Sequence, residues 1–463
     1  MCFNVIEGSE KMSYARWATK EEVVERLDSV NLDTGVNKSG TPICFDDKYY
    51  YIDSRESHNL IIGSTGSGKT QAMILPLLKL AMLAGESIVI NDPKGEIYER
   101  CASALKGKGY DVYALDFDDA KYGNSWNPLR MPYQLYNKGE KDRAIKCLED
   151  IAYYLFYEKA EANVDPFWLN SVMDYFTGIA LYLFENAKEE EVHLESISEF
   201  SNYLNQKGIC EKFLEKIDTR SKIYLNVIGT LGAPTETRGS IVAVFNQKIK
   251  KYISREHLSN MLSTSDFEIK DLSTKPSALF IVSGVSNYCN NLIPLLVNQI
   301  VDYVHILGKS EKHFNILLDE FDSMVPIRDF SRMIEACRSI NVRITVTIRS
   351  YVHLCSMYSK EEAEILKMCF GNFIYLLSDD IYTLEEISKY CGMKMEDREL
   401  VPLVTIEDLK MIGTFEGIVI MPRMMPYKTK FLPDYKIDWG MEFEESTIPE
   451  RISMPLTIYK EKD

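Results

Sequence analysis

The most restrictive stretch of the chain is Gly63-Ser64-Thr65-Gly66-Ser67-Gly68-Lys69-Thr70, which follows the apolar run Leu60-Ile61-Ile62 and leads into a helical pattern over Gln71–Ala84. A strand that passes through a glycine-rich turn directly into a helix makes an anion cradle. The glycines let the backbone wrap the ligand, and the helix N-terminus adds its partial positive charge. In that arrangement Gly63, Gly66 and Gly68 let the N–H groups of the loop point inward. Lys69 neutralises β- and γ-phosphate oxygens, and the Thr70 hydroxyl ligates Mg²⁺. All eight residues, Gly63 to Thr70, are therefore expected to hold a nucleoside triphosphate.

Hydrolysis in such a site needs a carboxylate at the end of a neighbouring strand for the Mg²⁺ water shell and an adjacent acid to polarise the attacking water. Asp319 and Glu320, directly after Ile316-Leu317-Leu318, fit those two roles. The chain carries no Asn/Thr-Lys-x-Asp guanine-reading motif, so ATP is the expected nucleotide. Asp92-Pro93-Lys94-Gly95-Glu96 also follows a strand pattern, Ser87–Asn91, at the end where open α/β sheets place ligands, although an ordinary turn would read the same. Arg338 and Arg349 are candidates to reach the γ-phosphate of a neighbouring subunit.

Runs rich in Ile and Val recur at Asn59–Ile62, Ser87–Asn91, Val112–Phe117, Ala278–Ser283, Phe314–Leu318, Arg343–Ile348, Phe373–Leu377 and Gly417–Met421. They lack in-and-out alternation, as strands buried on both faces of a largely parallel sheet do. Helical patterns such as Asn291–Leu307 lie between them, so the fold class is α/β, doubly wound. From Lys141 to Thr235 the strand signal stops and apolar residues fall at helix spacing, for example Ile145, Leu148, Ile151 and Leu155. This predicts an inserted all-α domain at 141–235, with the nucleotide-binding domain split into 1–140 and 236–463; extra crossover helices on the same sheet are the alternative.

A length of 463 residues suits two domains. The net charge of −16 makes the surface as a whole repel nucleic acid, so a polyanion would have to meet a local basic surface. Lys248, Lys250 and Lys251 form one such cluster, although a solvated helix face accounts for them better. Ten scattered cysteines, from Cys2 to Cys391, show no metal-ligand spacing and fit a reducing cytoplasm. Met1–Lys20 has no apolar core, and Pro76 and Lys79 interrupt the apolar stretch Ala72–Ala84, so neither a signal peptide nor a membrane span is expected.

Taken in order, several short segments resemble the type IV coupling proteins of conjugation, the TraG/TraD-like ring ATPases. They are Ala15-Arg16-Trp17-Ala18-Thr19, the phosphate loop, Asn91–Glu96, Asn124-Ser125-Trp126-Asn127-Pro128-Leu129, and Asp165-Pro166-Phe167-Trp168. Leu318-Asp319-Glu320-Phe321, Arg338-Ser339, Arg398-Glu399-Leu400, Glu416-Gly417 and Pro426 complete the set. The resemblance implies a RecA-like P-loop domain interrupted by an all-α domain that meets relaxase-bound DNA. It also implies a homo-hexameric ring that hydrolyses ATP with Mg²⁺ at the cytoplasmic face of the bacterial membrane and feeds a type IV secretion channel.

Carried over by position, Lys69, Thr70, Asp319 and Glu320 keep the roles given above, and Arg338 matches the family's trans-acting arginine. Two features depart from the pattern. Arg349 stands where the family usually has a γ-phosphate-sensing glutamine, and the two transmembrane helices that normally precede the stretch like Ala15–Thr19 are not in this sequence, which implies a soluble member, an anchor on another polypeptide, or an anchor left out of this sequence. A monomer in isolation is compatible with either. A nucleotide-switched recruitment adaptor, an FtsK- or HerA-like DNA translocase and a protein-exporting ATPase are the competing functions.

Overall fold

The computed structural model describes residues 14–157, 165–284 and 289–461. Its strands, in chain order, are β1 (Asp28–Asn31), β2 (Thr41–Asp46), β3 (Tyr49–Asp53), β4 (Asn59–Gly63), β5 (Ser87–Asn91), β6 (Asp111–Asp116) and β7 (Ser277–Val282). They continue as β8 (Phe314–Leu318), β9 (Val342–Ile348), β10 (Asn372–Leu377), β11 (Met393–Glu396), β12 (Glu399–Pro402), β13 (Glu416–Ile420) and β14 (Tyr427–Lys430). All eight strands expected from the apolar runs are present, displaced by at most a residue at either end. Every residue of β4, β5, β7, β8 and β9 is buried, which is the reason their sequences lack alternation.

The chain divides into two compact units. Among described residues, the first comprises 14–84, 320–322 and 343–440. Its strands run in the order β14-β13-β10-β4-β9; β10, β4 and β9 are parallel, and β13 and β14 are added antiparallel. A polar ladder fixes the register where β10 and β4 begin, with Asn372 paired to Asn59 and Asn59 to Thr345, midway along β9. Asn372 Nδ2 donates to Asn59 Oδ1 at 2.9 Å, Asn59 Nδ2 donates to Thr345 Oγ1 at 2.7 Å, and all three residues are fully buried. A one-residue slip would strand these groups without partners, each at about 1–3 kcal/mol. β1, β3 and β2 form a separate antiparallel sheet.

The helix after the phosphate loop begins as a π-turn, Thr70–Ile74, before becoming α over Leu75–Ala84. Its Lys79, which reads as an interruption in the sequence, is buried and paired with Asp434 at 2.8 Å. Among the described residues no helix is long and apolar enough to cross a membrane.

The second unit comprises 85–319, 323–342 and 441–461, within the described residues. Its strands β8, β5, β7 and β6 are neighbours in that order and all parallel. Between β6 and β7 the regular elements are helical, among them Lys141–Phe156, Pro166–Asn186, Leu194–Leu204, Ile209–Lys216, Lys222–Leu231 and Thr235–Ile253. Asp165 caps the 166–186 helix at the Phe167 N–H, with Pro166 pre-set in the first turn. Gly178 lets that helix approach the Lys222–Leu231 helix: a Cβ there would lie 2.5 Å from Val227 Cγ1.

The Asn124–Leu129 segment works as a latch, since Asn127 Nδ2 donates to the carbonyls of Val192 (2.7 Å) and Ser263 (3.2 Å) while its own amide donates to Ser265 Oγ. Among the described residues the tail 441–461 has no helix or strand, and Arg451 pins it to the carbonyls of Ala120 (2.8 Å) and His257 (2.7 Å).

Candidate nucleotide site

In the first unit, β4 ends at Gly63 and the loop follows, with Ile62 paired to Ile348 of β9 and Gly63 to Leu377 of β10. The Ser64 N–H donates to the Leu377 carbonyl at 2.8 Å, which anchors the loop's first turn to β10. Gly66 (φ +80°) and Gly68 (φ +89°) occupy the left-handed region that only glycine enters cheaply. Gly63 is required for space: a Cβ there would lie 2.3 Å from Ser67 Oγ. The Lys69 ammonium donates back to the carbonyls of Gly63 (2.5 Å) and Ser64 (3.2 Å), so it lies over the loop.

The residues fit a bound phosphate. Ser67 Oγ is buried in the loop without a hydrogen-bond partner, which is the condition of a donor awaiting a ligand oxygen. The following helix points its N-terminus at the same turn.

Glu320 belongs to this unit and is held in an unusual conformation, φ +50°. Its N–H donates to Thr347 Oγ1 of β9 at 3.0 Å. Strain of this kind in a carboxylate residue is typical of functional sites, where surrounding contacts over-determine the backbone. Two residues on, the Asp322 carboxylate has a side chain only 1% exposed and accepts from Arg349 Nε at 2.7 Å and from the Arg349 amide at 3.3 Å. Arg349 is thus tied to the turn that carries Glu320.

In the second unit, Asp319 closes β8 and is 6% exposed. Asn91, the last residue of β5, donates to the Asp319 carbonyl at 2.7 Å. The Asp92 carboxylate caps the helix Glu96–Gly107 through the amides of Ile97 and Tyr98, at 2.9 and 2.8 Å. Burial pushes Asp92 up to about 7, with the charges of Asp319 and Glu96 adding to the effect and the two capping amides opposing it. Asp92–Glu96 is therefore a capped turn at a strand's carboxyl end. Arg338 is the last residue of the helix Phe330–Arg338 and is exposed.

Lys248 donates to the Phe156 carbonyl at 2.8 Å, closing a helix C-terminus, and Lys251 lies over the Tyr252 ring. Neither is a plain solvated lysine. A cavity of about 610 Å³ in the same unit, lined by Trp126, Arg130, Tyr133, Glu268 and Tyr303 among others, includes none of the residues above.

Sequence patterns assign no role to Thr347 or Phe415, and place Asn91 in a family segment without giving its side chain a role. Thr347 carries a faint signal, a hydroxyl near the end of a fully buried strand.

The sequence matches the family model for type IV secretory system conjugative DNA transfer over residues 8–399. The chain belongs to that family. A search of curated proteins finds no relative of this conjugative-transfer chain.

Among solved structures it resembles the bacterial conjugative coupling protein TrwBdeltaN70 in an unbound monoclinic form, with TM-score 0.67 and 14% identity over 97% of this chain and 96% of that one. The plasmid coupling protein TrwB in complex with ADP and Mg²⁺ gives TM-score 0.67 and 14% identity, with 97% of each chain covered. VirB4 of Thermoanaerobacter pseudethanolicus gives 0.57 and 12%, over 85% of this chain and 96% of that one. At these identities the likeness is one of fold, and it is the RecA-like α/β P-loop fold expected from the sequence.

Several family segments meet in the first unit. The Ala15 amide donates to the Met393 carbonyl and the Ala18 amide to that of Pro426, both at 2.8 Å. Asp397 and Arg398, with φ +45° and +71°, make the tight turn between β11 and β12.

Proposed function

We propose that the chain is the coupling ATPase of a conjugative DNA-transfer system, recruiting relaxase-bound DNA and moving it into a type IV secretion channel. Family membership sets the system. The observation that carries the enzymatic part is a complete phosphate loop with Glu320 held in a left-handed conformation by Thr347 in the same unit.

Gly63 to Thr70 bind the triphosphate through backbone N–H groups, the Ser67 hydroxyl and the Lys69 ammonium, which leaves the loop carbonyls for the phosphates. Thr70 and Asp319 would hold Mg²⁺, whose chemistry is to offset charge on the β- and γ-phosphate oxygens. Glu320 orients the attacking water and draws its proton. Arg338, exposed at a helix end, suits a residue that reaches the site of the next subunit in a homo-hexameric ring. Arg349 braces the Glu320 turn through Asp322 rather than standing ready for phosphate.

That the solved TrwB complexes contain ADP with Mg²⁺ or ADPNP supports the choice of nucleotide and metal. The helical segment 141–235 is proposed as an all-α domain that receives the relaxase–DNA substrate, with 1–140 and 236–463 as the nucleotide-binding domain. The working place is the cytoplasmic face of the bacterial membrane.

Steady-state ATP hydrolysis with and without single- and double-stranded DNA, alongside the particle mass, tests this. DNA-stimulated turnover by ring-sized particles, lost in Lys69→Ala and in Glu320→Gln, is the expected result. ATP binding without turnover under every condition would replace the motor by a nucleotide-switched adaptor.

A further inference from the structure

Beside the phosphate loop stand two aromatic rings that core packing does not account for. The Phe415 ring lies against the last loop glycine: a Cβ on Gly68 would be 2.6 Å from Phe415 Cε1 and 2.9 Å from Cδ1. Phe415 itself has φ +62°, a region that bulky side chains avoid. The conformation is enforced on both sides. The Phe431 N–H donates to the Phe415 carbonyl at 2.7 Å, and the Glu416 N–H closes a turn on the Gly413 carbonyl at 2.9 Å, immediately before β13.

The strained backbone leaves the ring only half-buried. Tyr435 meets it edge-on, with ring centroids 6.3 Å apart and planes at 66°, and is itself 65% exposed. Packing alone would have buried a phenylalanine; here a strained turn keeps one at the rim of the loop.

We propose that Phe415, backed by Tyr435, is the shelf on which the purine of the bound nucleotide stacks. The proposal rests on the reading of Gly63–Thr70 as a nucleotide phosphate loop. An aromatic face is complementary to any base face, and stacking is tolerant of base identity because it reads no edge. A phenyl ring offers no donor or acceptor to distinguish adenine from guanine. The shelf therefore adds affinity to both purines alike, and nucleotide choice at this site is weak.

Equilibrium binding of ATP, GTP and inorganic tripolyphosphate, each with Mg²⁺, to the full chain tests the shelf. Phe415→Leu keeps an apolar contact with Gly68 but removes the π-face. It is expected to weaken ATP and GTP about ten-fold, ~1.4 kcal/mol, and to leave tripolyphosphate unchanged. Phe415→Trp restores purine binding. Tyr435→Ala, at an exposed ring where folding is not at stake, gives a smaller loss of the same kind, about three-fold.

A 2-aminopurine nucleoside triphosphate should be quenched on the wild-type chain and bright on Phe415→Leu. Equal weakening of ATP and tripolyphosphate in Phe415→Leu would mean that the ring only props the loop, and unchanged ATP affinity would mean that the base lies elsewhere; either overturns the shelf while leaving the phosphate loop intact. Failure of the wild-type chain to bind either ATP or tripolyphosphate would overturn the phosphate-loop reading itself.

Discussion

Replacing Thr347 by valine isolates what holds Glu320 in place. The hydroxyl oxygen accepts the Glu320 N–H at 3.0 Å, Thr347 is fully buried, and valine matches threonine in shape. Glu320 at φ +50° is in a conformation that costs a non-glycine residue about 1–2 kcal/mol. Removing the acceptor takes a hydrogen bond from this part-buried N–H, at about 0.5–1.5 kcal/mol. Together these favour relaxation of the turn toward φ < 0, which carries the carboxylate away from the loop. A misplacement worth about 1.4–2.8 kcal/mol at the transition state lowers kcat by about ten- to a hundred-fold.

The KM for ATP should change little, because Gly63–Thr70 and Lys69 are untouched, and Thr347→Ser should recover most of the rate. Steady-state ATP turnover with DNA present gives both constants, and the decisive comparison is made in the Glu320→Gln background. There the valine should add almost nothing, since the two changes remove one function. An equal fold-loss in both backgrounds, or a loss that merely tracks lowered thermal stability, would refute the positioning role.

Arg349→Ala should lower thermal stability by about 2 kcal/mol, because the buried Asp322 carboxylate loses a charged donor; Asp322→Asn in the same chain should recover part of it in a melting curve. Burial raises Asp150 to about 6, more than the Lys146 and Arg328 charges lower it. A carboxyl raised in this way binds its proton more tightly folded than unfolded, so its stabilising contribution is present below about pH 4 and fades as pH rises to about 6. Thermal unfolding at pH 5 and 7.5 should show that decline, and Asp150→Asn should flatten it. Gly178→Ala overpacks the contact with Val227 and should destabilise by about 1–3 kcal/mol, relieved by adding Val227→Ala, as denaturant midpoints would show.

Elements that are buried on both faces were legible because burial demands unbroken apolar runs; β4, β5, β7, β8 and β9 are of that kind. The small sheet β1–β3 and the hairpin β11–β12 were not, since their residues are partly exposed and too few to set a period. Gly63–Thr70 was legible because every residue of the loop is constrained by type, by φ or by space. The roles of Thr347, Asn91 and Phe415 were not, because each acts on a residue distant in the chain: Asn91 on Asp319, Phe415 on Gly68, and Thr347 on Glu320, 27 residues earlier. Cys2 falls outside the described residues.

In the first unit, strain and stiffness are placed at opposite ends of β4. Asn372 and Asn59, the first residues of β10 and β4, and Thr345, midway along β9, lock the three strands in register, and Asp53 adds a further acceptor to Asn372 at 2.8 Å. Where β4 ends and β9 nears its end, the backbone is bent into costly forms at Gly66, Gly68 and Glu320. A loosely registered sheet would let those turns relax, since each costs about 1–3 kcal/mol to hold. The polar ladder, remote from any phosphate, is therefore part of the site's machinery: shifting β9 by one residue would move Thr347 from beneath the Glu320 amide, and with it the carboxylate that the proposed hydrolysis depends on.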